Sequence, residues 1–110
     1  MNDVLCVVLS TAPDRETAER IGEALLLERL AACVQYEAVR SQYWWQGELC
    51  TDDEVRLTIK TRRALYDAVE AAIIRLHPYD CPQVLCLPVV AVNAGYAQWL
   101  AATLRCDNPQ

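Results

Sequence analysis

One histidine and six cysteines are the residues of this chain best suited to hold a soft metal ion. His77 stands directly before Pro78, where its imidazole can either ligate a metal or hydrogen-bond the end of the preceding segment. Cys33 opens an extended segment, and a thiol there serves as a ligand or simply as a small packing residue. Cys33 and His77 are weighed as candidate metal ligands against a packing thiol and a structural imidazole. Cys81 follows His77 by four positions, a ligand spacing that works only on a helix, and Pro78 and Pro82 argue against one, so Cys81 and Cys86 read as structural or as incidental soft-metal sites. No Cys-x-x-Cys pair occurs, which argues against a structural zinc site. Glu54 and Lys60 share the polar face of one extended segment and, with Tyr79, are candidate contacts for a small ligand in a polar cleft. A Ser/His/Asp arrangement, a glycine-rich phosphate loop and paired catalytic carboxylates are all missing from the pattern, so no enzyme is expected.

The elements that must position these groups follow from periodicity. Asp3–Thr11 is a continuous apolar run that suits a strand buried on both faces. Asp14 can cap the helix after it, where Ala18, Ile21, Gly22, Leu25 and Leu26 form one stripe over 16–30. Ala32–Trp45 and Glu48–Thr61 read as strands joined at Gln46-Gly47. A two-residue turn there sets Val34 against Ile59, Tyr36 against Leu57 and Ala38 against Val55, with Glu37 opposite Arg56 on the reverse face. A one-residue slip would lose every match. Arg62–Leu76 is a second amphipathic helix with Leu65, Val69, Ala72, Ile73 and Leu76 inward, and it stops at His77-Pro78. Gln83–Val92 reads as a fourth strand in which Pro88 marks an edge or a break. Gly95–Arg105 closes the chain as a short helix carrying Tyr96, Trp99, Leu100 and Leu104.

This order predicts an α+β, ferredoxin-like βαββαβ fold: an antiparallel sheet with helices on one face, a long central hairpin and a C-terminal helix. The 110 residues fit a single domain. A net charge of −5 argues against nucleic acid, whose phosphates demand a basic footprint. No export signal is read at the N-terminus and no run is long enough to insert in a membrane, so a cytoplasmic chain with reduced thiols is expected. Cys6 is expected in the core, and Cys106 is the expected reactive thiol.

The hairpin has a geometric consequence. Ala32–Trp45 in extended form is about 45 Å long, whereas a chain of this size has a radius of gyration of about 13 Å. It must project, carrying Tyr43, Trp44 and Trp45 toward its tip, and exposed aromatics on an arm call for a partner surface. An oligomer is expected, with these three residues in its interface.

The residues just described resemble the CutA family of divalent-cation tolerance proteins, in order, over roughly positions 4–105. The resemblance rests on Ser10-Thr11-Ala12-Pro13-Asp14, on Leu30-Ala31-Ala32-Cys33-Val34, and on Ser41 through Gly47 with Glu54 and Lys60-Thr61. His77-Pro78-Tyr79-Asp80-Cys81-Pro82, Leu87-Pro88-Val89 and Tyr96-x-x-Trp99-Leu100 complete it. It implies a ferredoxin-like homotrimer knitted by long hairpins, in the cytoplasm, linked to tolerance of divalent metal, chiefly copper. No cofactor is firmly implied beyond copper or another divalent cation. Members discussed as copper binders carry a cysteine where this chain has Ser10 and an extra histidine where it has Leu76, so two soft ligands are missing. Cys33 and His77 do match the family pattern, and that match is what singles them out as candidate ligands. Beside a non-enzymatic tolerance protein stand two alternatives: a small-molecule sensor with clefts between subunits, and a trimeric scaffold.

Overall fold

The computed structural model describes residues 4–106. Its elements run β1 (Leu5–Ala12), α1 (Arg15–Leu27), β2 (Cys33–Trp45), β3 (Glu48–Arg62), a 3-10 turn (Arg63–Leu65), α2 (Tyr66–Leu76), β4 (Leu85–Pro88) and α3 (Ala94–Thr103). The sheet has the order β2-β3-β1-β4 and every pairing is antiparallel. Asp3, expected to begin the first strand, lies outside the described residues.

Local chemistry sets the boundaries. Asp14 caps α1 by accepting the Thr17 N–H at 2.8 Å. The helix stops at Leu27, three residues before the expected end, and Arg29 takes a left-handed φ of 59° as the chain turns into β2. Ala18, Ile21, Gly22 and Leu25 are buried as the stripe requires, but Leu26 is exposed. Gly22 sits where α1 crosses β2 so closely that a Cβ would stand 2.0 Å from the Tyr36 hydroxyl and 3.2 Å from Val34. The second helix proper begins at Tyr66, its first turn being 3-10, and ends at Leu76 because His77 turns extended ahead of Pro78.

The hairpin keeps the expected register from Cys33↔Lys60 to Trp45↔Glu48 without a bulge. Gln46 and Gly47 both have positive φ, 51° and 81°, as a two-residue turn matching strand twist demands. The arm carries the long dimension of the molecule to 46 Å and the radius of gyration to 14.6 Å.

Two expectations are corrected. The fourth strand is only Leu85–Pro88, an edge strand that pairs with β1 alone; Pro88 is tolerated as its last residue because its missing N–H faces away from β1, and the Val89 N–H beyond it still reaches the Leu5 carbonyl at 3.0 Å. Nor is β1 buried on both faces. Cys6, Val8 and Ser10 are buried, whereas Leu5, Val7 and Leu9 on the other face are only half-buried. The core lies on the helical side, around Val8, Ile21, Leu25, Leu57, Ile59, Val69 and Ile73.

Candidate functional site

The loop after α2 is tied to the end of β1 by His77. The imidazole Nδ1 accepts the Tyr79 N–H at 3.2 Å, which leaves Nε2 to carry the proton and donate to the Thr11 carbonyl at 2.6 Å. Its ring lies 4.7 Å from that of Tyr79, tilted by 55°. Held in this way, Tyr79 reaches across the sheet and donates to Glu54 Oε2 at 2.8 Å. Glu54 and Tyr79, paired as candidates from sequence, therefore do meet.

Lys60, the third candidate binding residue, does not join them. It lies six residues along β3 from Glu54, roughly 20 Å at strand rise, and its ammonium sits 5.5 Å over the ring of Tyr96 instead. Cys33 is half-buried opposite Lys60, at the far end of β2 from the arm tip. Since Thr11 pairs with Arg56 and Cys33 with Lys60, four residues along and two strands across separate the two positions, roughly 16 Å. Cys33 and His77 of one chain thus share no metal ion, and both imidazole nitrogens already have partners. Among the described residues no three of His, Cys, Asp and Glu gather into a set able to hold a metal.

The arm supplies the other wall. Tyr43 donates its hydroxyl to Asp52, one cross-strand diagonal away. Arg40 donates to Asp53 at 3.2 Å and Arg56 to Glu37 at 2.7 Å, the last pair as expected from register. Between the arm and the 78–83 loop lies a cleft of about 910 Å³, lined by Tyr43, Trp44, Trp45, Glu54, Tyr79 and Asp80 among others. Both phenols there hold their protons tightly, for different reasons. The bond to Asp52 pushes Tyr43 up to about 12, with desolvation second. Desolvation, then the bond to Glu54, pushes Tyr79 up as well.

Sequence reasoning missed Asp52, although the register that places Ser41 opposite it also sets it beside Tyr43. It also missed Tyr96 as the partner of Lys60, a contact between a strand and a helix distant in sequence that no local pattern reveals. Trp44 is 73% exposed and Trp45 43%, so the arm's aromatics are uncovered in the single chain, with Leu49 beside them.

The profile of the CutA1 divalent ion tolerance protein family matches residues 6–103. The divalent-cation tolerance protein CutA of Pyrococcus horikoshii is 41% identical over 96 residues, 87% of this chain and 94% of that protein. The crystal structure of CutA1 from Oryza sativa superposes with a TM-score of 0.90 at 39% identity, covering 93% of this chain and 94% of that one. A CutA from Archaeoglobus fulgidus, described as periplasmic, gives a TM-score of 0.90 at 30% identity over 92% of this chain and 99% of its own.

Proposed function

Because the chain belongs to the CutA1 divalent ion tolerance family, we propose that it serves tolerance of divalent metal, copper foremost, as a non-enzymatic homotrimer that contacts the ion weakly. The observation that carries this is the family match across the whole fold, arm and His77–Pro82 loop included. Cys33 and His77 lie too far apart to chelate within one chain, so in this reading each meets the metal alone, His77 only by giving up its bond with Thr11 or Tyr79. A lone thiol or imidazole holds a soft ion only weakly, compared with a full ligand set.

The physical support for assembly is the half-open face of β1 and the bare arm. An apolar run of the kind found in strands covered on both sides has Leu5, Val7 and Leu9 only half-covered here. Tyr43, Trp44 and Trp45 of the arm supply the matching interface. A non-enzymatic role fits the one histidine, whose two nitrogens bind backbone groups and leave no free base. We place the protein in the cytoplasm, where its six free cysteines stay reduced; cell fractionation tests this. No helix among the described residues is long and apolar enough to cross a membrane.

Copper titration of the reduced protein by calorimetry, with the mass in solution measured alongside, tests the metal reading. Expected is weak binding at a fixed ratio per trimer, diminished in Cys33→Ser and in His77→Ala. No binding, or a ratio that follows only the number of thiols, would sink it. The reading of a small-molecule sensor has one specific observation in its favour, the joined Glu54–Tyr79 pair at a cleft.

A further inference from the structure

A cavity of about 470 Å³ opens where the start of β1, the 3-10 turn before α2 and the edge strand β4 come together. Val4, Cys6, Tyr66, Cys86 and Pro88 form its walls, and Arg63 is the charged side chain among them. Register fixes the side of the sheet on which it lies. Cys86 stands opposite Val8, and Cys6 and Val8 are buried on the helical side. Leu5, Val7 and Leu9, the β1 residues that support assembly, alternate to the other face. The arm contributes nothing to the lining. Neither surface proposed for assembly therefore closes this cavity.

Arg63 brings it an unmatched charge. The guanidinium lies 5.3 Å from the centre of the Tyr66 ring and forms no ion pair among the described residues. The Tyr66 hydroxyl is spent on Glu70, to which it donates at 3.3 Å, so Tyr66 offers the cavity its ring. Thiols such as those of Cys6 and Cys86 are only weak hydrogen-bond partners. What remains is a hydrocarbon-like hollow, of small-molecule size, with one planar cation at its edge. A guanidinium pairs best with a carboxylate, two N–H donors meeting two oxygens. Apolar walls gain most from covering a hydrocarbon body. The net charge of −5 works against a second negative charge on the guest.

We infer that this cavity binds a small monocarboxylate with an apolar tail, its carboxylate paired with Arg63 and its hydrocarbon packed between Cys6, Tyr66, Cys86 and Pro88. The inference stands apart from the copper reading, which rests on Cys33 and His77.

Octanoate, titrated by calorimetry into the reduced full chain below its micellar range, is the probe, and 1-octanol is its uncharged analogue. Saturable binding of octanoate, tighter than that of octanol, is expected. Arg63→Gln removes the charge from an exposed position and should weaken octanoate by about tenfold while leaving octanol unchanged. Arg20→Gln, exposed on α1 and outside the lining, removes the same charge elsewhere and should alter neither. Occupancy has a second readout in the half-buried Cys86. Octanoate should slow its alkylation by iodoacetamide, followed by peptide mass spectrometry, and leave the exposed Cys81 as reactive as before. Absence of saturable octanoate binding, equal octanoate affinity in Arg63→Gln, or undiminished alkylation of Cys86 at saturating octanoate would overturn the inference.

Discussion

Single side chains here are governed by what their polar atoms can find. Ser10 is fully buried in β1 and its hydroxyl meets no hydrogen-bond partner among the described residues. An unmet hydroxyl in the core costs free energy that an alanine would not. Ser10→Ala should therefore raise stability by about 1 kcal/mol, read as a higher urea midpoint at unchanged slope; a lower midpoint would show that the hydroxyl is satisfied in solution. Thr61 is the contrast, since its buried hydroxyl donates to the Leu30 carbonyl at 2.7 Å and fastens the turn into β2. Tyr43 offers a pH readout. Its folded pKa stands near 12 against an ordinary 10, so the folded state holds the phenolic proton more tightly. That contribution to stability is complete below pH 10 and is lost as pH rises through about 12. In Asp52→Ala, one tyrosinate per chain should form at distinctly lower pH in an ultraviolet titration. Identical curves would mean that Asp52 does not hold the proton.

Elements were legible where one local rule decided them. The hairpin register followed from alternation plus a two-residue turn, and it holds to the last pair because both rules agree along its length. The fourth strand was overestimated because apolar content alone cannot say where pairing ends; only Leu85–Pro88 pairs with β1. The site was half legible. Glu54 and Lys60 share a strand face, but a shared face does not mean a shared place when six residues intervene. The reach of Tyr79 to Glu54 depends on a loop folding back over the sheet, which no period encodes. Packing of α1 on β2 yields its own prediction at Gly22. Alanine is the better helix former, yet its methyl group would strike Tyr36 and press on Val34. Gly22→Ala should destabilise by about 1–3 kcal/mol, as overpacked sites do. A Gly22→Ala, Tyr36→Phe double variant should recover part of that loss, because the nearest clashing atom is the phenol oxygen.

The whole molecule is an arm on a small core, and the two have different stability logic. Residues that hold the core lie on the helical side of the sheet, whereas the outer hairpin is a two-stranded ribbon with solvent around its aromatics. A ribbon of this kind is marginal on its own and gains from a third surface. Trp44 and Leu49 face each other across the arm and are 73% and 61% exposed, so their removal deletes nothing from the core. In the proposed homotrimer they are anchors. Replacing both with lysine should then leave the circular dichroism and the buried core intact but lower the mass in solution from trimer to monomer. Apparent stability should fall with it and become independent of protein concentration, since association stabilises the folded chain by mass action. If the double variant keeps the wild-type mass, the arm's aromatics are not the anchors. Assembly would then have to rest on the half-covered face of β1 and the exposed Leu85 and Leu87 beside it. Leu87→Lys on that edge separates the two routes, because only the second predicts that it alone dissociates the protein.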